Sequence, residues 1–238
     1  MRFGVGNAGR RGHRGRALTL AALSTGLVTG LMTGCAAEDG DPDPASGASA
    51  GASAGASAGT AAKVARRGGS VGASGSACEL PVTFDTAEFW KAEAVDADEA
   101  SAAGGDLAGL ADAFLRQGPV TMACEIDAKP AGKIGFLRVW TGEPGDADAT
   151  AVLKGFVTAE QGASGAKYRT FEAGGLTGAE VEYVTTSKLL EETKKERALA
   201  VTTSAGPVVL HLGGMDTDEH EAMLPAYELA RSTLRRTG

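Results

Sequence analysis

Three cysteines, Cys35, Cys78 and Cys124, offer the clearest chemistry in this chain of 238 residues. Cys35 ends the stretch Leu-Met-Thr-Gly-Cys, which closes an apolar segment beginning at Ala17. A cysteine in that place could end a membrane-spanning helix, act as a reactive thiol, or be the point where the chain is cut and joined to a lipid. The other two cysteines lie in the part of the chain that holds nearly all its aromatic residues.

The residues before Cys35 favour the last of these options. Five arginines lie within the first 16 residues, and no acidic residue precedes Glu38. The apolar segment from Ala17 to Thr33 is about 17 residues long, which is short for a transmembrane helix of about 20 residues. A basic start followed by such a segment is typical of a secretory signal. We therefore predict that residues 1–34 are a signal peptide.

The end of this segment, from Leu31 to Cys35, resembles the lipobox at which bacterial lipoproteins are processed. Thr33 and Gly34 are the small residues that the motif places before its cysteine, whereas Met32 stands where leucine is commoner. The resemblance implies cleavage between Gly34 and Cys35 and a diacylglyceryl thioether on the Cys35 thiol. Two acyl chains, such as palmitate, hold a protein stably on a membrane where a single chain does not.

The remaining pair, Cys78 and Cys124, favours a disulfide. An exported protein matures in an oxidising compartment, and an odd cysteine count becomes even once Cys35 carries lipid. The alternative is two free thiols, with Cys124 acting as a buried apolar residue.

Two short motifs match the patterns of serine enzymes without their context. Residues 51–55 read G-x-S-x-G around Ser53, but they lie in an Ala/Gly/Ser repeat that offers no strand-to-helix turn. Residues 164–167 read S-x-x-K, but they lie in a glycine-rich stretch, and the partner motifs S-D-N and K-T-G are missing from the sequence. We therefore predict no catalytic residue and no enzyme activity.

Histidines and aromatic residues are the other candidates for a site. His211 is out of phase with Leu210 and Leu212, so it should face solvent or a second layer on the sheet. His220 lies among acidic residues that suit the start of a helix, so we predict no metal and no cofactor. Five aromatic residues form either simple core or the wall of an apolar groove: Phe89, Trp90, Phe136, Trp140 and Tyr183.

Composition divides the chain into a tether and a domain. Residues 35–77 are rich in Ala, Gly and Ser with little to bury, which predicts a lipidated N-terminus and a disordered spacer. Residues 78–238 are long enough for one globular domain. The net charge of −7 argues against a nucleic-acid partner.

The pattern of residues 78–238 predicts an α+β fold, in which an antiparallel sheet carries helices packed on it. Helices are expected at 106–116, at 149–160 after a cap at Asp146 or Asp148, and from 216 onward. Pro225 should kink this last helix or divide it. Strands are expected at 81–85, 89–95, 120–127, 134–141, 168–172, 179–186, 197–203 and 207–212, with Ser204-Ala205-Gly206 as a hairpin turn.

Several elements together resemble the PsbP-like and Mog1-like α/β/α sandwich domains. They are Val82-Thr83-Phe84 running into Phe89-Trp90, the helix 149–160, the hairpin 198–212 and the closing helix ending in Ala230-Arg231-Ser232-Thr233-Leu234. The layout also resembles the uncharacterised LpqN-type lipoproteins of actinobacteria. Domains of this kind act chiefly as interaction modules or assembly factors, which the resemblance implies here.

Together these features predict a lipoprotein held by Cys35 on the outer face of the cytoplasmic membrane. Its expected partners are the membrane, through the covalent lipid, and an envelope protein or cell-wall component. The competing hypothesis is a carrier of a small molecule or lipid that uses an apolar pocket.

Overall fold

The computed structural model describes residues 63–97, 102, 109 and 113–238. Gly34, Cys35 and Ser53 lie outside these residues, as does most of the helix expected at 106–116. None of the described helices is long and apolar enough to span a membrane.

Strands dominate the described part of the chain. In chain order they are β1 Arg67–Val71, β2 Val82–Ala87, β3 Lys91–Ala94, β4 Arg116–Gln117, β5 Val120–Asp127, β6 Gly135–Thr141, β7 Ala163–Ala173, β8 Leu176–Ser187, β9 Glu192–Thr203, β10 Gly206–Gly214 and β11 Arg235–Arg236. The predicted alternation of β5 is confirmed, because its residues are buried at every second position. Gly206, with a φ of 115°, closes the predicted hairpin turn between β9 and β10.

These strands form two antiparallel sheets. The larger has eight strands in the order β3-β5-β6-β10-β9-β8-β7, with β4 also paired to β5. The smaller has the order β1-β2-β11. An antiparallel α+β fold is therefore confirmed, although strands make up more of it and helices less than the sequence pattern predicts.

Among the described residues, two α-helices with both ends defined accompany the sheets, α1 at Ala149–Ala159 and α2 at Thr217–Ser232. Asp148 caps α1 by accepting a hydrogen bond from the Ala151 N–H at 2.7 Å, which confirms the second of the two predicted caps. Helix α2 runs through Pro225 without interruption, so the predicted division of this helix is wrong. The Pro225 carbonyl accepts instead from the N–H of Ala65 at 2.8 Å, just before β1.

The two helices bury opposite faces of the large sheet. Phe156 of α1 packs with Val209 of β10, whereas Tyr227 of α2 packs with its neighbour Leu210. Since successive side chains of a strand point to opposite faces, the two cores lie on either side of the sheet. The small sheet joins α2 on its side through Val82 and Phe84. We call the two sides the α1 face and the α2 face.

Cys78 and Cys124 form a disulfide, with their Cα atoms 5.9 Å apart. It joins the segment between β1 and β2 to β5, on the α2 face. With a sequence separation of 46 between the two cysteines, the chain-entropy model gives a stabilisation of about 4 kcal/mol.

The folded part begins earlier than residue 78. Strand β1, which falls within the segment assigned to the tether, pairs with β2 from Arg67↔Ala87 to Val71↔Phe84. Only Val71 of this strand is buried. The predicted boundary is therefore wrong by about ten residues, because a strand with a single buried apolar residue and two glycines resembles a flexible linker.

Candidate functional site

A cleft of about 660 Å³ lies on the α1 face of the large sheet. Helix α1 ends at Ala159, and the cleft begins beside Glu160, the residue that caps it. Apolar side chains of β5 and β6 form part of the wall, with Met122, Phe136 and Trp140 among them. Charged side chains of β6, β9 and their neighbours complete it: Glu125, Arg138, Lys194, Glu196 and His211.

His211 is the centre of a buried polar cluster in this cleft. Its Nε2 atom lies 3.1 Å from the Tyr183 hydroxyl and 3.2 Å from Glu196 Oε2. Lys194 binds the other oxygen of Glu196 at 2.8 Å. Tyr183, Glu196 and His211 lie on β8, β9 and β10, so three adjacent strands hold the cluster in place. Of the two predicted positions for His211, the second layer is the one the structure has.

The charge on Glu196 is favoured despite its burial. Burial alone would raise the pKa of this carboxyl, but the hydrogen bond with His211 and the charge of Lys194 outweigh it and lower the pKa. Burial likewise raises the pKa of the Tyr183 hydroxyl far above its usual value. At neutral pH the cluster therefore contains an ionised carboxylate beside a neutral phenol.

The geometry of this cluster suits binding better than proton transfer. A catalytic triad uses one ring nitrogen for the nucleophile and the other for the acid. Here Tyr183 and Glu196 share a single nitrogen of His211, so no relay runs through the ring. In the described part of the chain no three metal-binding side chains converge either.

One donor in the cleft wall has no partner. The indole Nε1 of Trp140 is buried and donates to no acceptor within hydrogen-bonding distance, although the Trp140 ring packs edge-on against Phe156 with ring centroids 5.5 Å apart. Nearby, Arg138 binds Glu125 at 2.8 Å and lies over the Phe136 ring at 4.7 Å. An unpaired buried N–H costs free energy, so the Trp140 indole is held there by its packing and not by hydrogen bonding.

A second, larger groove of about 1120 Å³ adjoins the cleft through Glu160, Lys194 and Met215. Its outer wall is the hairpin turn between β8 and β9, where Leu189 is 91% exposed and Leu190 is 65% exposed. We call residues Lys188–Glu191 the hairpin tip. Ile134 and Met215, also exposed, lie at the same end of the sheet and are joined by a backbone hydrogen bond of 3.0 Å.

The α2 face contains a different polar cluster, made of three glutamates and three arginines. Its centre, Glu180 of β8, is 0% exposed. Arg169 binds it at 2.8 Å, and Arg231 and Arg197 approach it to 3.4 and 3.7 Å. Glu228 of α2 binds both Arg197 and Arg231, and Glu182 binds Arg197 and Arg169. These six charges balance, and helix α2 covers Glu180, Arg197 and Glu228, whereas Arg169 and Glu182 are partly exposed.

The candidates proposed from sequence are scattered over the fold. Ser164 and Lys167 are exposed on β7, an outer strand of the large sheet, with no helix to raise the serine as a nucleophile. The aromatic set separates: Phe136 and Trp140 line the cleft and Tyr183 belongs to its polar cluster, but Trp90 packs on the α2 side. Phe89 is exposed elsewhere.

The acidic and basic residues of the cleft were missed. Glu125 and Arg138 are partners in the β5–β6 ladder, and Glu180 faces Arg169 across β8 and β7. Opposite charges at paired positions of adjacent strands are the signal that could have revealed both clusters, but it needs the strand register, which the sequence alone does not specify.

Comparison with known proteins finds a matching family model and a similar solved structure. A family model described as an uncharacterised lipoprotein matches residues 48–234. A search of curated proteins finds no match. The solution structure of cyanobacterial PsbP (CyanoP) from Synechocystis sp. PCC 6803 is similar over 66% of this chain and 86% of that one, with 12% sequence identity and a TM-score of 0.41.

Proposed function

We propose, because the chain belongs to a family of uncharacterised lipoproteins, that Cys35 carries a diacylglyceryl group and holds the domain on the outer face of the cytoplasmic membrane. The signal residues 1–34 would be removed by cleavage between Gly34 and Cys35. On the outer face the domain acts as an interaction module for another component of the cell envelope. The segment between Cys35 and the domain is the spacer.

The cleft on the α1 face is the observation that carries this proposal. It combines apolar side chains such as Met122 and Phe136 with charged ones that already have partners within the protein, such as Arg138 and Lys194. An apolar centre with a satisfied polar surround is the composition of a protein interface. A carrier encloses most of its ligand, whereas this cleft is open along the sheet.

A carrier of a small molecule is the second candidate. The size of the cleft favours it, because pockets for small molecules commonly measure about 300–1,000 Å³. The cleft measures about 660 Å³, which lies within this range.

The anchor is tested by labelling cells with a palmitate analogue. The wild-type chain should take up the label, and a Cys35→Ser chain should take up none. A wild-type chain without label, or a variant labelled as strongly as wild type, would show that the chain is not lipidated at this cysteine.

The interaction surface is tested by photo-crosslinking in intact cells. A photoreactive phenylalanine analogue replaces Phe136 in the cleft, and the matched control carries it at Phe89, an exposed phenylalanine outside both grooves. We expect a protein or cell-wall adduct at Phe136 that is absent at Phe89. The captured component, once purified, should bind Phe136→Ala about tenfold more weakly than wild type, a loss typical of an interface anchor. Adducts with small molecules alone would favour the carrier, and equal adducts at both positions would contradict the interaction module.

A further inference from the structure

The hairpin of β8 and β9 projects beyond its neighbours at one end of the large sheet. Its two strands stay paired to Ser187↔Glu192. On one side β7 pairs with β8 no further than Thr185, and on the other β10 pairs with β9 no further than Arg197. The last residue pairs of β8 and β9, together with the hairpin tip, therefore project beyond the neighbouring strands of the sheet.

The hairpin tip is apolar where a protruding turn is ordinarily polar. Leu189 and Leu190 are adjacent and both largely exposed. The turns at the opposite end of the same strands, Gly174–Gly175 and Ser204–Ala205, carry no large apolar side chain. Two leucines on a projecting turn are unfavourable in water unless something covers them.

The charges around the hairpin tip leave it free to approach a bilayer. Lys188 precedes the leucines and Glu191 follows them, and Lys195 is paired with Glu221 of α2. Basic and acidic side chains are thus mixed, and the adjoining groove adds Glu192, Asp216 and Asp218, so the charges supply no attraction to an anionic surface. Its contact with a membrane would be hydrophobic.

The proposed lipid anchor keeps the tip close to a membrane at all times. The 27 residues between Cys35 and Lys63 span at most about 100 Å when fully extended. As a flexible coil they would span about 30 Å on average. A tethered contact is effectively intramolecular, so even a small apolar area can bind for much of the time.

From these observations we propose that the hairpin tip inserts Leu189 and Leu190 into the interface of the bilayer that carries the lipid anchor. The contact orients the domain, with the β8–β9 end of the sheet toward the membrane. It rests on the proposed anchoring at Cys35. The large groove and the neighbouring cleft then open beside the membrane surface, where a membrane-bound partner would reach them.

The test uses the lipidated protein in phosphatidylcholine vesicles that contain brominated phosphatidylcholine, which quenches tryptophan within the bilayer. Leu189→Trp places a reporter on the hairpin tip. Ala205→Trp is the matched control at the opposite end of β9, about 40 Å along the strand. Both variants share Trp90 and Trp140, so their difference isolates the added residue. We expect a loss of fluorescence for Leu189→Trp and none for Ala205→Trp.

Equal fluorescence of the two variants in brominated and ordinary vesicles would overturn the inference. So would a blue shift of Leu189→Trp that appears without vesicles and grows with protein concentration, since a second copy would then cover the tip. Flotation of the wild-type and Cys35→Ser chains with the same vesicles reports on the anchor separately. A wild-type chain that floats without quenching of Leu189→Trp refutes only the tip, whereas a wild-type chain that fails to float refutes the anchor.

A second variant pair tests the two leucines in the lipidated background. Adding Leu190→Ser to Leu189→Trp should reduce the quenching, whereas adding Lys188→Ser should leave it unchanged. Quenching that depends on Lys188 and not on Leu190 would show an electrostatic contact and overturn hydrophobic insertion.

Discussion

Buried charged side chains have different surroundings on the two faces of the large sheet, although the same strands supply the residues of both faces. On β9, Glu196 points into the cleft of the α1 face, and the next residue, Arg197, points into the cluster beneath α2. On β8, Tyr183 and Glu182 divide in the same way. The α2 cluster is closed by a helix that brings its own partners, Glu228 and Arg231. The α1 cluster has no such lid at Glu160, where helix α1 has ended.

This difference suggests which face of the sheet mainly stabilises the fold and which face is available for binding. The ion pairs that Glu228 and Arg231 make beneath the helix hold α2 to the sheet, although Glu180 Oε1, Arg197 Nε and Arg231 Nε make no hydrogen bond there. The Tyr183, Glu196 and His211 cluster borders an open cleft instead. We therefore expect substitutions on the α2 face to affect stability, and those on the α1 face to affect binding.

The largest effect should come from Glu180→Ala. Removing this fully buried carboxylate leaves Arg169, Arg197 and Arg231 with too few partners, and an uncompensated buried charge costs about 3–5 kcal/mol. Urea unfolding of the mature chain with Cys35→Ser measures the loss. The control is Glu182→Ala, whose carboxylate is partly exposed and should cost less. Equal losses for both variants would mean that the α2 cluster behaves as a surface network.

A smaller effect should follow from pH through His220 of α2. Burial lowers the pKa of this histidine to about 4, with the charge of Glu196 partly offsetting the shift and those of Arg197 and His211 adding to it. Between pH 6.5 and 4 the unfolded chain binds a proton that the folded chain does not. The free energy of unfolding therefore falls as the pH falls through this window, by about 2–3 kcal/mol.

The comparison for this effect is His220→Gln, which cannot titrate. Its free energy of unfolding, measured at pH 7 and pH 4.5, should change less than that of the wild-type chain. If the two chains lose the same stability, then the pKa of His220 is not lowered in the folded chain. His220 would in that case be accessible to water.

The smallest effect should come from Tyr183→Phe on the α1 face. The Tyr183 hydroxyl makes two long hydrogen bonds, 3.1 Å to His211 and 3.4 Å to Glu160. Removing the hydroxyl therefore costs little free energy. His211 keeps its contact with Glu196, so the loss of stability should be about 1 kcal/mol. The same urea series measures it. A loss as large as that of Glu180→Ala would show that the α1 cluster is also a structural network.

Much of the fold follows from the sequence because its strands alternate clearly. The strand 120–127, the helix after Asp148 and the Cys78–Cys124 pair were predictable from periodicity, a capping residue and the cysteine count. Strand β1 was not, since Val71 is its one buried residue. Nor was the continuity of α2 at Pro225, because that depends on the packing of the whole helix.

The candidate site was less predictable than the fold for a physical reason. Glu180, Glu196 and His211 occupy the polar positions of alternating strands, and such positions normally face solvent. Here both faces of the sheet are covered, so a polar residue is buried whichever way it points. Only the position of the helices, which depends on tertiary packing, decides which charges are closed in and which border a cleft.

The disulfide would have a mechanical consequence if the proposed anchor at Cys35 holds the domain by its N-terminal end. Tension on the anchor reaches the fold first at the hydrogen bond between Ala65 and Pro225 and then along β1, which can peel from β2. The crosslink from Cys78 to β5 then transfers the load to the large sheet. Stretching releases at most the 15 residues from Lys63 to Ala77, about 50 Å of chain. Unpairing of β1 would thus lengthen the connection to the anchor, and the disulfide would set the limit of that lengthening.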